Sequence, residues 1–150
     1  MSSPNNNDFT VKFANVNGTG SSSANGMFMK SIFRMGIPVV GKNYFPSNIQ
    51  GLPTWYEVRV NENGYLAPSG SIHIMVAMNA QTYEEDLNSI EPGGYLIYDS
   101  SWPRETLMTR DDITVLGVPL AKMCNEAFDT ARSRTLMKNT AYVGVLAALL

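Results

Sequence analysis

The feature that most constrains this chain is a change of period between residues 9 and 35. Phe9-Thr-Val-Lys-Phe-Ala-Asn-Val16 alternates like a strand. Asn17-Gly18-Thr19-Gly20-Ser21-Ser22-Ser23-Ala24-Asn25-Gly26 follows, and then Met27-Phe-Met-Lys-Ser-Ile-Phe-Arg-Met35. The last part reads as helix from about Ser22 to Met35, with Gly36 as its stop. A strand that feeds a helix through a glycine turn opens an α/β domain. Such a turn sets backbone N–H groups at the positive end of a helix, which suits a phosphate or carboxylate. Gly18 and Gly20 permit a tight turn and a close approach. The pattern still falls short of a dinucleotide fingerprint. Ser23 stands where the third glycine of G-x-G-x-x-G belongs, and no P-loop lysine follows. Two readings therefore stand level. One is an anion cradle built from Gly18, Thr19, Gly20, Ser21 and Ser22; the other is a plain turn with a serine N-cap.

The period keeps alternating along the chain. Residues 1–8 read as a disordered tail and 9–150 as one domain. Ile37–Val40 reads as a short second strand with Pro38 at its start or on an edge. Gly41–Pro53 has two prolines, two glycines and two aromatics but no period. A long loop of that kind in a compact domain is often functional. Thr54–Asn61 is a strand, Asn61–Gly64 a hairpin turn, and Tyr65-Leu66 a short return strand. Ser71–Met78 is almost wholly apolar, as a central strand is. A helix over Gln81–Ile90 stops at Pro92-Gly93-Gly94, and Tyr95–Tyr98 is a further central strand. After a polar connection, Ile113–Leu116 is a strand, with helices at Leu120–Ala127 and Arg132–Leu150. The fold class is α/β: a three-layer α/β/α domain with a mixed, mostly parallel sheet, the hairpin at Gly64 supplying the antiparallel part.

Ligands of an open α/β sheet gather at the carboxyl ends of its strands. Here those ends carry Asn17–Gly20, Asn79, Asp99 and Gly117–Pro119, with Arg104 and Arg110 in a following loop to neutralise phosphate. No nucleophile–base pair is visible. His73 sits inside a central strand, where a histidine is usually a satisfied structural residue. Glu84-Glu85-Asp86 reads as a solvated helix face. The lone Cys124 excludes an internal disulfide and a cysteine-held cluster within this chain. Eleven Lys and Arg against thirteen Asp and Glu, without a basic cluster, argue against nucleic-acid binding. The polar start shows no signal peptide, so a cytoplasmic location is expected. Ala141–Leu150 is apolar on every face yet too short to span a bilayer. Its uncapped end leads to the expectation that the natural chain continues past Leu150 or that another subunit covers it.

Asn43-Tyr-Phe-Pro-Ser-Asn-Ile-Gln-Gly-Leu-Pro-Thr-Trp-Tyr-Glu-Val-Arg-Val60 resembles a segment of the 2-oxoacid:ferredoxin (acceptor) oxidoreductases. It is similar to the gamma-type domain at the N-terminus of their alpha subunit. Met75–Asn79, Glu91–Asp99 and Lys138–Leu146 agree, so the resemblance covers residues 9–150. Many relatives carry Gly-x-Gly-Gly-Gln-Gly where this chain has Gly18-Thr19-Gly20-Ser21-Ser22-Ser23. The resemblance implies an enzyme that oxidatively decarboxylates a 2-oxoacid, 2-oxoglutarate being a candidate, to an acyl-coenzyme A. Thiamine diphosphate, Mg2+, iron–sulfur clusters, coenzyme A and ferredoxin belong to that enzyme. The cofactors lie outside this chain, which carries no catalytic residue of its own. Its partners would be the thiamine-binding domains of the alpha subunit and the beta subunit. On this reading Tyr44, Phe45, Pro46, Ser47, Asn48, Ile49, Gln50 and Gly51 dock toward those partners. Gly18, Thr19, Gly20, Ser21, Ser22, Asn79 and Asp99 form the ligand set, toward coenzyme A. The rival reading is a free-standing nucleotide- or coenzyme-A-binding module.

Overall fold

In the computed structural model, residues 7–45, 52–104 and 109–150 are described. The alternating first run forms strand β1 (Asp8–Val16), and the glycine turn leads into helix α1 (Ser21–Arg34). Strands β2 (Val39–Tyr44), β3 (Pro53–Asn61) and β4 (Ile72–Ala77) follow. A 3-10 turn (Ala80–Thr82) precedes the short helix α2 (Tyr83–Asn88). Strands β5 (Ile90–Asp99) and β6 (Thr114–Val118) lead to helices α3 (Leu120–Ala127) and α4 (Ala131–Leu149).

The strands form one six-stranded sheet in the order β2-β3-β1-β4-β5-β6. β1, β4, β5 and β6 run parallel, joined by crossover connections, while β3 is antiparallel to both β1 and β2. The sheet is thus mixed and mostly parallel, but its antiparallel part does not come from a hairpin at Gly64. β3 already has a partner on each edge, which leaves no place for a return strand at Tyr65-Leu66. Instead Asn61 Oδ1 accepts from the backbone N–H groups of Asn63 (2.9 Å) and Tyr65 (3.1 Å), and the chain turns away.

Helices cover the two faces unequally. On one face Val11, Phe13, Val58, Val60, Val76 and Ile97 pack against α1, α3 and α4 through Phe28, Ile32, Leu120, Tyr142 and Leu146. The ring of Phe13 lies 5.7 Å from both Phe28 and Tyr142, so α1 and α4 share one aromatic contact on β1. On the other face, among the described residues, α2 and its 3-10 turn pack down, with Tyr83 and Leu87 against Met75, Ala77, Leu96 and Tyr98. That helix meets β3 at Trp55 and leaves the outer part of β2 and β3 uncovered. There the sheet shows Val40, Lys42, Tyr44, Glu57 and Arg59 on the side away from α1.

Several boundaries differ from the sequence expectation for physical reasons. Asp8 opens β1, paired to Arg59 at 2.6 Å, and the Asn7 carbonyl accepts from Glu62 N–H, so the sheet begins inside the expected tail. β2 runs through Gly41 to Tyr44 rather than ending at Val40. The Tyr56 ring lies so close over Gly41 that a Cβ has no room. Glycine here marks a packed strand rather than a loop. β5 begins at Ile90, and its pairing with β4 shifts register between Ile72 and Ile74, so Pro92-Gly93-Gly94 sits within the strand rather than ahead of it. α2 is correspondingly shorter than the expected helix. Asp86 is buried rather than part of a solvated face, accepting from Trp55 Nε1 (2.9 Å) and Thr82 Oγ1 (2.6 Å). Burial pushes its carboxyl above the ordinary range.

Candidate functional site

The site starts where β1 leaves the sheet. Thr19 Oγ1 donates to the Val16 carbonyl at 2.9 Å and folds the turn back on its strand. Gly18 (φ 86°) and Gly20 (φ 78°) both take the left-handed conformation. Gly20 is itself the N-cap of α1, and no side chain accepts a hydrogen bond there. The expected serine cap is therefore absent, because Ser21 already lies inside the helix. The first-turn N–H groups of α1 are left without a capping side chain.

Helix α4 holds the turn from behind. Asn139 Nδ2 donates to the Thr19 carbonyl at 2.9 Å. The Tyr142 hydroxyl donates to Asn25 Oδ1 at 2.7 Å, and Asn25 Nδ2 donates to Asn15 Oδ1 at 3.2 Å. Burial drives the Tyr142 phenol far above its ordinary pKa, so it is a permanent donor. A Cβ on Gly20 would come within 2.5 Å of Leu136 Cδ2 on α4. The close approach at Gly20 is thus to the protein's own helix. A Cβ on Gly18 would meet nothing within 4 Å.

In front of the turn lies a cleft of about 240 Å³. Asn17, Gly18 and Ser22 line it on the turn side, and Asn43, Phe45 and Trp55 on the other. The Asn17 N–H to Leu52 carbonyl bond (3.1 Å) ties the two sides. The glycine turn and the flanks of the Asn43–Pro53 segment, two separate features in the sequence, thus meet in one place. Pro46, Ser47, Asn48, Ile49, Gln50 and Gly51 lie outside the described residues. Phe45 is exposed at the cleft, whereas Tyr44 points to the other face of the sheet, with Lys42 Nζ 5.0 Å from its ring. Sequence reasoning gave no role to Asn25 and Tyr56, which both line the cleft. Asn25 carried a signal, since it lies one helical turn beyond Ser21 and shares its face.

The other strand-end residues are not part of this cleft. Asn79 is buried, with Oδ1 accepting from Gln81 N–H (3.0 Å) and Nδ2 donating to the Asn15 carbonyl (3.5 Å). Asp99 is buried at the start of α3, accepting from the N–H groups of Ala121 and Ser101, each at 3.1 Å. Both side chains spend their hydrogen bonds on the scaffold. The arginines are engaged on the α2 side of the sheet. Arg110 Nη1 donates to the carbonyls of Leu87 (2.7 Å) and Ile90 (2.9 Å), and Nη2 pairs with Asp112. Arg104 stacks 4.6 Å over Tyr83. His73 Nδ1 accepts from the Thr10 N–H at 3.0 Å, a structural role. The buried Cys124 thiol is pushed up in pKa by its burial, which leaves it inert.

Residues 10–150 match the family model described as pyruvate ferredoxin/flavodoxin oxidoreductase. The chain belongs to this family. It is 28% identical over 124 residues to subunit alpha of 2-oxoacid:ferredoxin oxidoreductase 2 from Aeropyrum pernix. That match covers 82% of this chain but 19% of the relative, so the chain spans about a fifth of the relative's length. Among solved structures, the keto/oxoacid ferredoxin oxidoreductase gamma subunit from Geobacter sulfurreducens superposes with a TM-score of 0.73 at 15% identity. It covers 94% of this chain and 76% of that one. The 2-oxoglutarate:ferredoxin oxidoreductase from Magnetococcus marinus, with 2-oxoglutarate, coenzyme A and succinyl-CoA bound, superposes at 0.67 with 18% identity. It covers 96% of this chain and 32% of that one. These likenesses show a shared α/β fold.

The family's cofactors fit this chain unequally. Among the described residues, no three His, Cys, Asp or Glu side chains come together to hold a metal ion, and Cys124 is buried. The donor set therefore does not fit a metal-bound diphosphate or an iron–sulfur cluster. The cleft offers uncapped N–H groups, hydroxyls and amides, and its size suits one end of coenzyme A rather than the whole molecule. No helix of the described residues is long and apolar enough to cross a membrane.

Proposed function

We propose that this chain is the accessory, gamma-type domain of a cytoplasmic enzyme complex that oxidatively decarboxylates a 2-oxoacid to an acyl-coenzyme A, with ferredoxin as electron acceptor. Its partners are the thiamine-binding domains of the alpha subunit and the beta subunit, which supply thiamine diphosphate, Mg2+ and the iron–sulfur clusters. By itself the chain is inactive. 2-Oxoglutarate is the proposed substrate, and turnover of 2-oxoglutarate against pyruvate by the assembled enzyme tests that choice.

The observation that carries the reading is the polar cleft at the uncapped start of α1. Within it, the N–H groups after Gly20, with the Ser21 and Ser22 hydroxyls, hold a phosphate of coenzyme A, and Tyr56 and Phe45 flank the less polar part. Gly18 lets that ligand approach the backbone. The chain's task is to bind and orient coenzyme A, and the exposed Phe45 leads into the docking segment.

Ser22→Asp is the discriminating variant, measured in the assembled enzyme. A carboxylate in the first turn favours the helix but repels a phosphate. KM for coenzyme A is expected to rise about ten-fold, from about 1–2 kcal/mol of repulsion at a partly solvated site, with kcat and thermal unfolding unchanged. An unchanged KM sinks the coenzyme A reading. Failure of the chain to associate with the thiamine-binding domains sinks the assignment as an accessory domain. Micromolar binding of coenzyme A by the isolated chain favours the free-standing module instead.

A further inference from the structure

On the sheet face away from α1, where α2 does not reach, lies a recess of about 230 Å³. Strand pairing builds its floor. Thr10 faces Arg59 across β1 and β3, and Arg59 faces Val40 across β3 and β2. Leu66 and Pro68, from the connection after β3, close one side.

Two polar atoms at this recess lack partners among the described residues. Thr10 is 2% exposed, and its Oγ1 makes no hydrogen bond. Arg59 Nε is also buried without a partner. The remainder of Arg59 is engaged, with Nη1 donating to the Phe9 (3.2 Å) and Val60 (2.6 Å) carbonyls and Nη2 paired with Asp8. Buried donors without acceptors are rare in folded proteins and costly. Here two belong to directly paired residues on adjacent strands, and both residues line one recess. Thr10 lines the recess, and a change of its χ1 rotamer is the motion that would turn the hydroxyl toward a guest there.

The surroundings set the character of that acceptor. Lys42 and Arg59 are balanced by Glu57 and Asp8, so the site is neutral as it stands. An added carboxylate would bring an uncompensated charge into a largely apolar recess. Val40, Leu66 and Pro68 offer hydrocarbon surface. We propose that this recess binds a small neutral carbonyl compound. Its oxygen accepts from Thr10 Oγ1 and Arg59 Nε, and its hydrocarbon body lies against Val40, Leu66 and Pro68. The site lies on the opposite sheet face from the α1 cleft and stands independently of the coenzyme A reading.

The probe is 2-pentanone, titrated into the 15N-labelled full chain and followed by amide chemical shifts. Saturable shifts are expected at Thr10, Val40 and Lys42. Thr10→Val keeps the shape and removes the hydroxyl, so it should weaken binding about five-fold. Leu66→Trp fills the recess from a connection outside the sheet and should abolish it. Butyrate, similar in size but charged, should bind more weakly than 2-pentanone. The proposal is overturned if the parent chain gives no saturable shift, if Thr10→Val binds as tightly as the parent, or if butyrate binds better.

Discussion

Gly18 and Gly20 share a left-handed backbone, yet they face different surroundings, and this permits a clean subtraction. Alanine at either position incurs the left-handed penalty of about 1–2 kcal/mol. Each substitution also stiffens the unfolded chain, which returns about 0.4–1 kcal/mol in both cases. Those contributions cancel in the difference. What remains is Leu136. A Cβ at position 20 comes within 2.5 Å of Leu136 Cδ2, whereas one at position 18 meets nothing within 4 Å. Leu136 is 41% exposed, so its end can swing away at the cost of a poor rotamer, about 0.5–1.5 kcal/mol. Gly20→Ala should therefore be less stable than Gly18→Ala by about that amount, or a Tm difference of about 1–6 °C at this chain length. Leu136→Ala in the Gly20→Ala background should recover the difference, and in the Gly18→Ala background it should not. Urea unfolding of six proteins, the parent, the three single variants including Leu136→Ala and the two doubles, with equal m-values as the check on two-state behaviour, measures it. Equal destabilisation by the two alanines, with strictly additive double variants, would refute the argument that α4 sets the turn's geometry.

Two further predictions concern the buried polar groups behind the cleft. Tyr142→Phe leaves Asn25 Oδ1 without its 2.7 Å donor and should cost about 1–3 kcal/mol in urea unfolding. The folded phenol's pKa is raised above its ordinary 10.0, so the unfolded chain ionises first and stability falls as pH rises past that value; Tyr142→Phe should flatten this alkaline decline in midpoints measured between about pH 9 and 11. Asp99→Ala removes the acceptor for the Ala121 and Ser101 N–H groups and should lower stability by about 0.5–2 kcal/mol. It should leave KM for coenzyme A in the assembled enzyme unchanged, and a raised KM would return Asp99 to the ligand set.

Much of the architecture was legible because the period of the sequence matches its burial. The run at Phe9–Val16 alternates because Val11 and Phe13 face the helices while Thr10 and Lys12 face away. The apolar run at Ser71–Met78 reads as central because β4 has a strand on each side and helices over both faces. What escaped was non-local. Gly41 looked like a loop residue because the ring that needs its bare Cα belongs to Tyr56, on another strand. Tyr65-Leu66 looked like a return strand because nothing local reveals that β1 and β2 already occupy both edges of β3. Asn79 and Asp99 sit at strand ends, as the ligand rule requires, but which way a short polar side chain turns depends on the helix waiting to be capped. The cleft shows the same limit. The sequence marked the glycine turn and the loop separately, and only the neighbouring positions of β1 and β3 in the sheet join them.

The bonds from Asn139 to Thr19 and from Tyr142 to Asn25 span 120 and 117 residues. The glycine turn is made more than a hundred residues ahead of the side chains on α4 that anchor it. Until then the turn has its Thr19–Val16, Asn17–Leu52 and Asn25–Asn15 bonds but not its anchors on α4. A nascent chain in which α4 has not yet emerged would carry the sheet's first strands without a settled cleft, and the cleft takes its final shape only when α4 docks.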